Sequence, residues 1–337
     1  IKSRAYRGIF IFYRLVLRCS HLTVFFVPSA IKNLTLRARY RRDEDAPPLI
    51  SKNSERLRDY DLSPDFGEAR IEGLSVMYRV KNEEKFIQAS ILSIIDLADQ
   101  IVVVDNGSTD QTVQRINELK NNHPEGSKIE VFTYPFEVAR CGVEHDSTEA
   151  SSVHSLSYFY NWCLDQCKCE AVLKWDGDMI FTSDAKRRHE FLEIVRRFQQ
   201  KERTQFCFMG AENVYIDDES KVLSLGEIFS EVRLFTKHPS VYFIKGERFE
   251  VLSACHKPRP HFLEASMGYE VKDLCQNEFS HWSNQSFDRP RKVQEFRTFS
   301  RLRAGLDRDK ACFVKDISIK IDKADLSGIP ILVGEVL

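Results

Sequence analysis

The sequence predicts an α/β protein: a mostly parallel sheet flanked by helices, an antiparallel section after it, and a basic helical arm in front. Three observations carry this. From Gly73 to Trp175, apolar runs of strand character alternate with segments of helical periodicity, the pattern of right-handed βαβ crossovers that lay parallel strands into one covered sheet. Beyond Phe181 the strand-like runs follow one another with few helices between them, the pattern of antiparallel pairing. Residues 1–42 hold ten of the 49 Lys/Arg and none of the 50 Asp/Glu, so a basic arm leads an acidic body.

Taken in order, the arm mixes apolar clusters with arginines. Its uncharged run between Arg18 and Lys32 is too short to cross a bilayer, and its charges are interspersed with the apolar residues, unlike a secretory leader. It is expected to lie on an anionic membrane surface or to pack on the body or a neighbouring domain. The chain begins with Ile1 rather than Met, so it can be a piece of a longer protein. Residues 43–70 are charged, carry Pro47-Pro48 and lack periodicity, which predicts a linker.

Gly73 to Val80 then predicts a strand, Glu83 to Leu97 a helix, and Ile101 to Val104 a β-branched strand. Thr109 to Lys120 follows as a helix, Lys128 to Tyr134 as a strand, Ser152 to Gln166 as a helix and Ala171 to Trp175 as a strand. Ala185 to Gln200 is helical, with Phe191, Ile194, Val195 and Phe198 on one face. Strands are expected at Phe206 to Ile216, Val232 to Thr236 and Val241 to Ile244. Pro290 to Leu302 is a basic helix with a solvated or partner-facing surface. The domain is expected to span 71–305, with halves at 71–181 and 182–305. The extension 306–337, strand-like from Ile317, has no evident role.

A hydrophobic fraction of 42% and an aromatic fraction of 11% over 337 residues supply a substantial core and exclude global disorder. Nine cysteines, an odd number without the dense framework of a secreted domain, point to reduced thiols in a cytosol-like compartment. Cys163, Cys167 and Cys169 cluster, but a zinc site needs a second ligand pair, so buried thiols are the expectation. A cytoplasmic location, with peripheral membrane contact through the arm, follows.

Two strand ends carry the chemistry. AVLKWDGDMIF, Ala171 to Phe181, is a buried strand that ends in Asp176-Gly177-Asp178. Paired carboxylates suit a hard divalent cation completed by phosphates, and the glycine lets a phosphate approach; Asp-Gly-Asp is equally ordinary turn chemistry. In IVVVDNGSTD, a second strand delivers Asp105 to the sheet's edge, Gly107 permits a tight turn, and Ser108 or Thr109 can cap the next helix. In parallel sheets ligands bind beyond the carboxyl ends of the strands, where both motifs lie. The segment Glu137 to Ser152, with His145, Asp146 and Glu149, reads as an insertion, either a mobile loop or a lid or acceptor-binding loop.

VKNEE (Val80 to Glu84), VVVDNGSTD and WDGD, in that order after successive strands, resemble the signatures of family 2 glycosyltransferases, which have the GT-A fold. VRLF (Val232 to Phe235), GERFE (Gly246 to Glu250) and FSHWS (Phe279 to Ser283) resemble the branch of lipopolysaccharide-core glucosyltransferases. The resemblance implies a nucleotide-sugar donor, UDP-sugar first, held by Val80, Asn82, Glu83, Asp105, Asn106 and Gly107 at the nucleoside and by Asp176, Gly177 and Arg233 at the phosphates. It implies Mn²⁺ or Mg²⁺ on Asp176, Asp178 and His281, and a base, Glu250 or its neighbour Glu247, for inverting transfer to the hydroxyl of a glycan, glycolipid or glycoprotein. No nucleic-acid partner is implied. The sequence departs from the family at Tyr160-Asn161, where members often carry Arg-Asn. Two alternatives remain. A haloacid dehalogenase-type phosphatase would also place Asp-x-Asp after a strand, with Asp176 as nucleophile. A silent nucleotide-sugar-binding or scaffold domain would keep the motifs without turnover.

Overall fold

A computed structural model describes residues 47–198, 204–217, 222–255, 258–275 and 290–313. The basic arm, His281 and the strand-like run from Ile317 lie outside them. The first strand, β1 (Ile71–Val80), lies between β2 (Gln100–Asp105) and β4 (Cys169–Asp176), and β3 (Ile129–Thr133) flanks β2, all four parallel. Every residue of β2 is buried, as a strand covered on both faces requires. Helices α1 (Ile87–Leu92), α2 (Thr112–Asn122), the short α3 (Val143–Ser147) and α4 (Leu156–Gln166) occur along the connections. The chain runs from β1 through β2 to β3, then returns to the other side of β1 as β4. That reversal puts a topological switch point between β1 and β4.

Beyond β4 the pairing becomes largely antiparallel, as expected, with one parallel pair among the described residues. The short β5 (Met179–Phe181) leads to α5 (Ala185–Phe198), then β6 (Gln205–Ile216) and β7 (Val222–Thr236). Strand β7 pairs antiparallel with both β4 and β6. A separate hairpin, β8 (Val241–Lys245) with β9 (Glu250–Ala254), stands apart from the sheet. The fifteen-residue β10 (Arg259–Asp273) runs parallel to β6 and antiparallel to β5, and β11 (Cys312–Phe313) adds to β7. The nine-stranded order is β3-β2-β1-β4-β7-β6-β10-β5, with β11 on β7. The fold class is the one the sequence predicts, a Rossmann-like α/β layer continued by antiparallel strands.

The main core joins the strands' inner faces to α1 and α5, with Leu74, Val76, Ile91, Leu173, Trp175, Phe191 and Leu234 in one cluster. Fully burying one such aliphatic side chain is worth roughly 1.5–3 kcal/mol. Among the described residues, no helix is long and apolar enough to cross a membrane.

Four differences from the sequence reading have physical causes. The helix expected over 83–97 is only α1, because the backbone tightens into three-residue turns at Ile94 and Leu97. There Ser93 Oγ accepts a bond from Phe181 N at 2.8 Å, and Ser90 Oγ donates to Met179 O at 2.5 Å, hooking the segment onto β5. Residues 47–70, expected as a linker, are docked: Ser63 N and Oγ bond Asp165, Glu55 bonds Ser152 and Val153, and Tyr60 packs edge-on to Tyr134 and Phe136. Helix α6 (Pro290–Arg303) presents basic residues but buries Phe299 and Leu302 against Tyr215 and Leu223. Strand β10 was invisible to pattern reading, since its sequence, RPHFLEASMGYEVKD, puts charges where an apolar alternation would be sought.

Candidate active site

The loops after β1 and β2 are stapled to each other. Asn82 sits in the left-handed region, φ +60°, which asparagine tolerates better than most residues. Its Oδ1 accepts from Thr109 N at 2.8 Å, and its own N–H donates to Ser108 Oγ at 2.9 Å. Glu83 N donates to Thr112 Oγ1 at 2.7 Å. Ser108 and Thr109, expected to cap the following helix, therefore hold the neighbouring loop instead, and Asp110 Oδ1 takes Thr112 N at 2.9 Å. Asp105 is buried and accepts from Gly107 N and Ser108 N at 3.2 Å, closing a turn in which Gly107 has φ +77°. Asn106 donates to Tyr134 O and Phe136 O at 3.0 and 2.6 Å.

At the end of β4 the picture is one of buried charge. Arg79, one position before the end of β1, donates to Asp176 Oδ1. Arg233, brought beside β4 by the Leu173–Leu234 register, places Nη1 3.0 Å from Glu231 and 3.9 Å from Asp176 Oδ2. The side chains of Arg79 and Arg233 are only 7% and 1% exposed, against 42% for Asp176. Burial works against the charge on Arg79, but the surrounding negative groups, Asp176 and Glu250 among them, outweigh it. Gly177 is small for a reason: a Cβ there would lie 2.8 Å from Glu83 Cγ.

Asp178 faces the other way, toward β10. Its backbone oxygen takes Val271 N at 2.9 Å, and its carboxylate meets Lys272 Nζ at 2.7 Å. Lys272 also bridges to Glu270 at 2.8 Å. Burial pushes the Asp178 carboxyl up to about 6, and the charges of Glu270 and Asp176 add to that, while Lys272 pulls it down. The Asp176 and Asp178 carboxylates are hard oxygens of the kind that hold a divalent cation such as Mg²⁺ or Mn²⁺, each here paired with a cationic side chain, Arg79 and Lys272. Among the described residues no group of three or more His, Cys, Asp or Glu stands ready to hold a metal by itself.

Between these two strand ends lies a cavity of about 440 Å³ lined in part by Arg79, Val80, Glu83, Asn106, Tyr160 and Asp176, a size ordinary for small-molecule sites. Tyr160 sits under the Arg79 guanidinium, 4.0 Å from Cζ to ring centroid, and packs edge-on to Phe243 of the hairpin. Burial pushes the Tyr160 phenol well up. Glu250, at the start of β9, is half-buried and close enough for its charge to act on both Arg79 and Tyr160. Glu247 is exposed in the hairpin turn, and neither it nor Glu250 is among the residues lining the cavity.

The segment 137–152 forms one wall of the cavity, through residues that include Val138, Arg140, Cys141 and Glu144. It is tied down by the hairpin: buried His145 meets Gly246 O at 3.1 Å, Gly142 N donates to Arg248 O at 2.8 Å, and Lys245 Nζ donates to Thr148 O at 2.6 Å. Cys163, Cys167 and Cys169 are buried free thiols, and burial raises each above the ordinary range.

The structure thus brings Val80, Glu83, Asn106 and Asp176 to one cavity, with Asn82, Asp105, Gly107 and Gly177 in its turns, Arg233 beneath Asp176 and Asp178 on the β10 side. Residues the sequence reading passed over are Arg79, Glu270 and Lys272. A lone basic residue inside the apolar run LSVMYRV was the one available signal for Arg79. The other two lie on the strand whose pattern was unreadable.

Residues 75–138 match the model of glycosyl transferase family 2. That stretch begins in β1, takes in β2, β3 and the stapled loops, and stops before Asp176 and Glu250. No curated protein matches the chain. Among solved structures, the chain is similar to S. aureus TarS residues 1–349 in complex with UDP, at 18% identity and a TM-score of 0.37 over 59% of this chain and 60% of that one. It is similar also to glucosyl-3-phosphoglycerate synthase from Mycobacterium tuberculosis in complex with Mn²⁺, UDP and phosphoglyceric acid, at 22% identity and a TM-score of 0.26 over 43% of each chain. The chain therefore spans less than two thirds of the length of either. The parallel order β3-β2-β1-β4 and the matched segment together describe a GT-A, Rossmann-like fold.

Proposed function

We propose that the chain is a family 2 glycosyltransferase that moves a sugar from a nucleotide-sugar, UDP-sugar first, to the hydroxyl of a glycan, glycolipid or glycoprotein acceptor, with inversion. The observation that carries it is the meeting at one cavity of the β1, β2 and β4 ends, the first two within the matched segment, with Glu250 of the hairpin near enough for its charge to act on Arg79. Val80, Asn82, Glu83 and the turn Asp105-Asn106-Gly107 are the nucleoside side, held rigid by the loop staples. Asp176 and Asp178, with His281, would hold Mg²⁺ or Mn²⁺, which when bound neutralises charge building on the leaving diphosphate. Arg233 adds a fixed positive charge beneath that point.

Glu250 takes the proton of the acceptor hydroxyl as its oxygen bonds to the anomeric carbon. The bond from that carbon to the diphosphate oxygen breaks with its electron pair, releasing the nucleoside diphosphate. Glu247, turned to solvent, is the lesser candidate. The wall 137–152, fixed to the hairpin that carries Glu250, selects the acceptor in this reading. Calorimetry with UDP-, GDP- and dTDP-sugars in Mn²⁺, followed by product detection on a panel of glycan acceptors, tests the reading. Binding of one donor and its consumption are expected; no binding to any of the three would sink it. Binding without turnover would favour the silent-domain alternative, and a covalent phosphate on Asp176 the phosphatase.

A further inference from the structure

We propose that Arg79 is the donor-anchoring residue of this site, its guanidinium gripping the diphosphate of the nucleotide while Tyr160 holds it in plane. The proposal rests on the nucleotide-sugar reading and names a residue that reading does not need.

Four observations converge on it. Arg79 lines the cavity although its side chain is only 7% exposed, so it is a built-in charge rather than a surface one. Its Nε is buried and has no hydrogen-bond partner, which in a folded interior is a cost that a ligand oxygen would remove. Its Cζ lies 4.0 Å over the Tyr160 ring, a cation–π contact that fixes the plane of the fork. Arg233 repeats the pattern beneath: 1% exposed, Nε buried and unpartnered, 3.9 Å from the same carboxylate.

Two nearly buried guanidiniums therefore turn toward Asp176, whose side chain is 42% exposed. A carboxylate offers two oxygens, and one of these already takes Arg79 Nη2. A diphosphate entering the cavity brings several more, in the planar geometry a guanidinium binds bidentately. Asp176 is partly exposed and can give up its share of Arg79 when phosphate arrives. Lysine at 79 would keep the charge and lose the fork.

The competing view is that Arg79 only positions Asp176. Calorimetry on the full chain in Mn²⁺ separates the two, with UDP, GDP or dTDP, whichever the wild type binds, compared with the matching nucleoside. Arg79→Gln is expected to weaken the diphosphate by about tenfold or more and to leave the nucleoside unchanged, as loss of a charge-assisted bond predicts. Arg79→Lys should recover only part, and Tyr160→Leu should weaken the diphosphate several-fold. In an Asp176→Asn background, Arg79→Gln should still weaken the diphosphate. Equal losses for diphosphate and nucleoside, or no further loss in that background, would overturn the assignment. Thermal melts show which variants fold; if Arg79→Gln does not, Arg79→Lys carries the comparison, and full diphosphate affinity in it would also overturn the assignment. If the wild type binds none of the three diphosphates, the glycosyltransferase reading itself fails; if it binds one and Arg79→Gln binds as well, only this inference does.

Discussion

The two sides of the cavity are built on opposite principles. On the side of the β1 and β2 loops, Asn82, Ser108, Thr109 and Asp105 direct their hydrogen bonds to each other and to the backbone, and the turns are closed without a ligand. On the side of the β4 end, Arg79 and Arg233 are buried with unpartnered Nε atoms, and Asp178 carries a carboxyl that burial makes reluctant to ionise. The first region is a preorganised socket, and the second is an electrostatically stressed one. Stress of this kind collects where a charged ligand or a charge-moving reaction will relieve it.

The contrast can be broken or sharpened by substitution, beginning with the largest effect. Glu250→Gln keeps the shape of the carboxylate and removes its basicity. Turnover should fall by about 10²–10⁴, the usual scale for a general base, with donor affinity little changed. Glu247→Gln should do far less, and a product assay on both variants decides between them.

Asp178→Asn should separate function from stability. Transfer is expected to drop by about 10² or more, the scale for losing a preorganised electrostatic group. The folded protein holds this carboxyl at about 6, above its ordinary 3.8, so the fold binds the proton more tightly than the unfolded chain does. Stability from that proton is full below about 3.8 and is lost as the pH rises through about 6. The asparagine variant escapes the loss. Without added nucleotide or divalent cation it should melt a few degrees above wild type at pH 8, with the advantage gone near pH 4. A lower melting point at pH 8 would show that Asp178 is a stabilising partner of Lys272 rather than a strained one.

On the socket side the expected effects are small and purely conformational. Gly107→Ala adds a Cβ that meets nothing within 4 Å, so its cost is the left-handed backbone alone, about 1–2 kcal/mol. A melt should show this as a modest drop, and nucleotide affinity should fall only as far as the turn loosens. A collapse in affinity without a change in melting would mean that the turn touches ligand through more than its shape.

Much of the socket was legible because its signals are local. VKNEE and VVVDNGSTD each follow or include a largely buried strand and carry the glycine or asparagine that a tight exit requires. Both strands form, and both turns lie at the sheet's carboxyl edge. The helix boundaries slipped where side chains did something nonlocal: Ser90 and Ser93 hook β5, and Ser108 and Thr109 reach Asn82. The linker reading of 47–70 failed for a similar reason. A segment without periodicity can still be held by single contacts, such as Ser63 to Asp165.

The sequence by itself determined the alternation of strands and helices, the two strand ends bearing Asp105 and Asp176, and the change to antiparallel pairing after Phe181. Periodicity and turn chemistry act over a few residues, and a linear reading reaches that far. Only the tertiary structure decided that Arg79 lies over Tyr160, 81 positions on in the numbering, that β10 brings Lys272 and Glu270 to Asp178, and that Glu250 is half-buried near Arg79 and Tyr160 while Glu247 is exposed. Those juxtapositions depend on register and crossover across the whole sheet, and charged residues that serve a site disrupt the very alternation by which a strand is recognised.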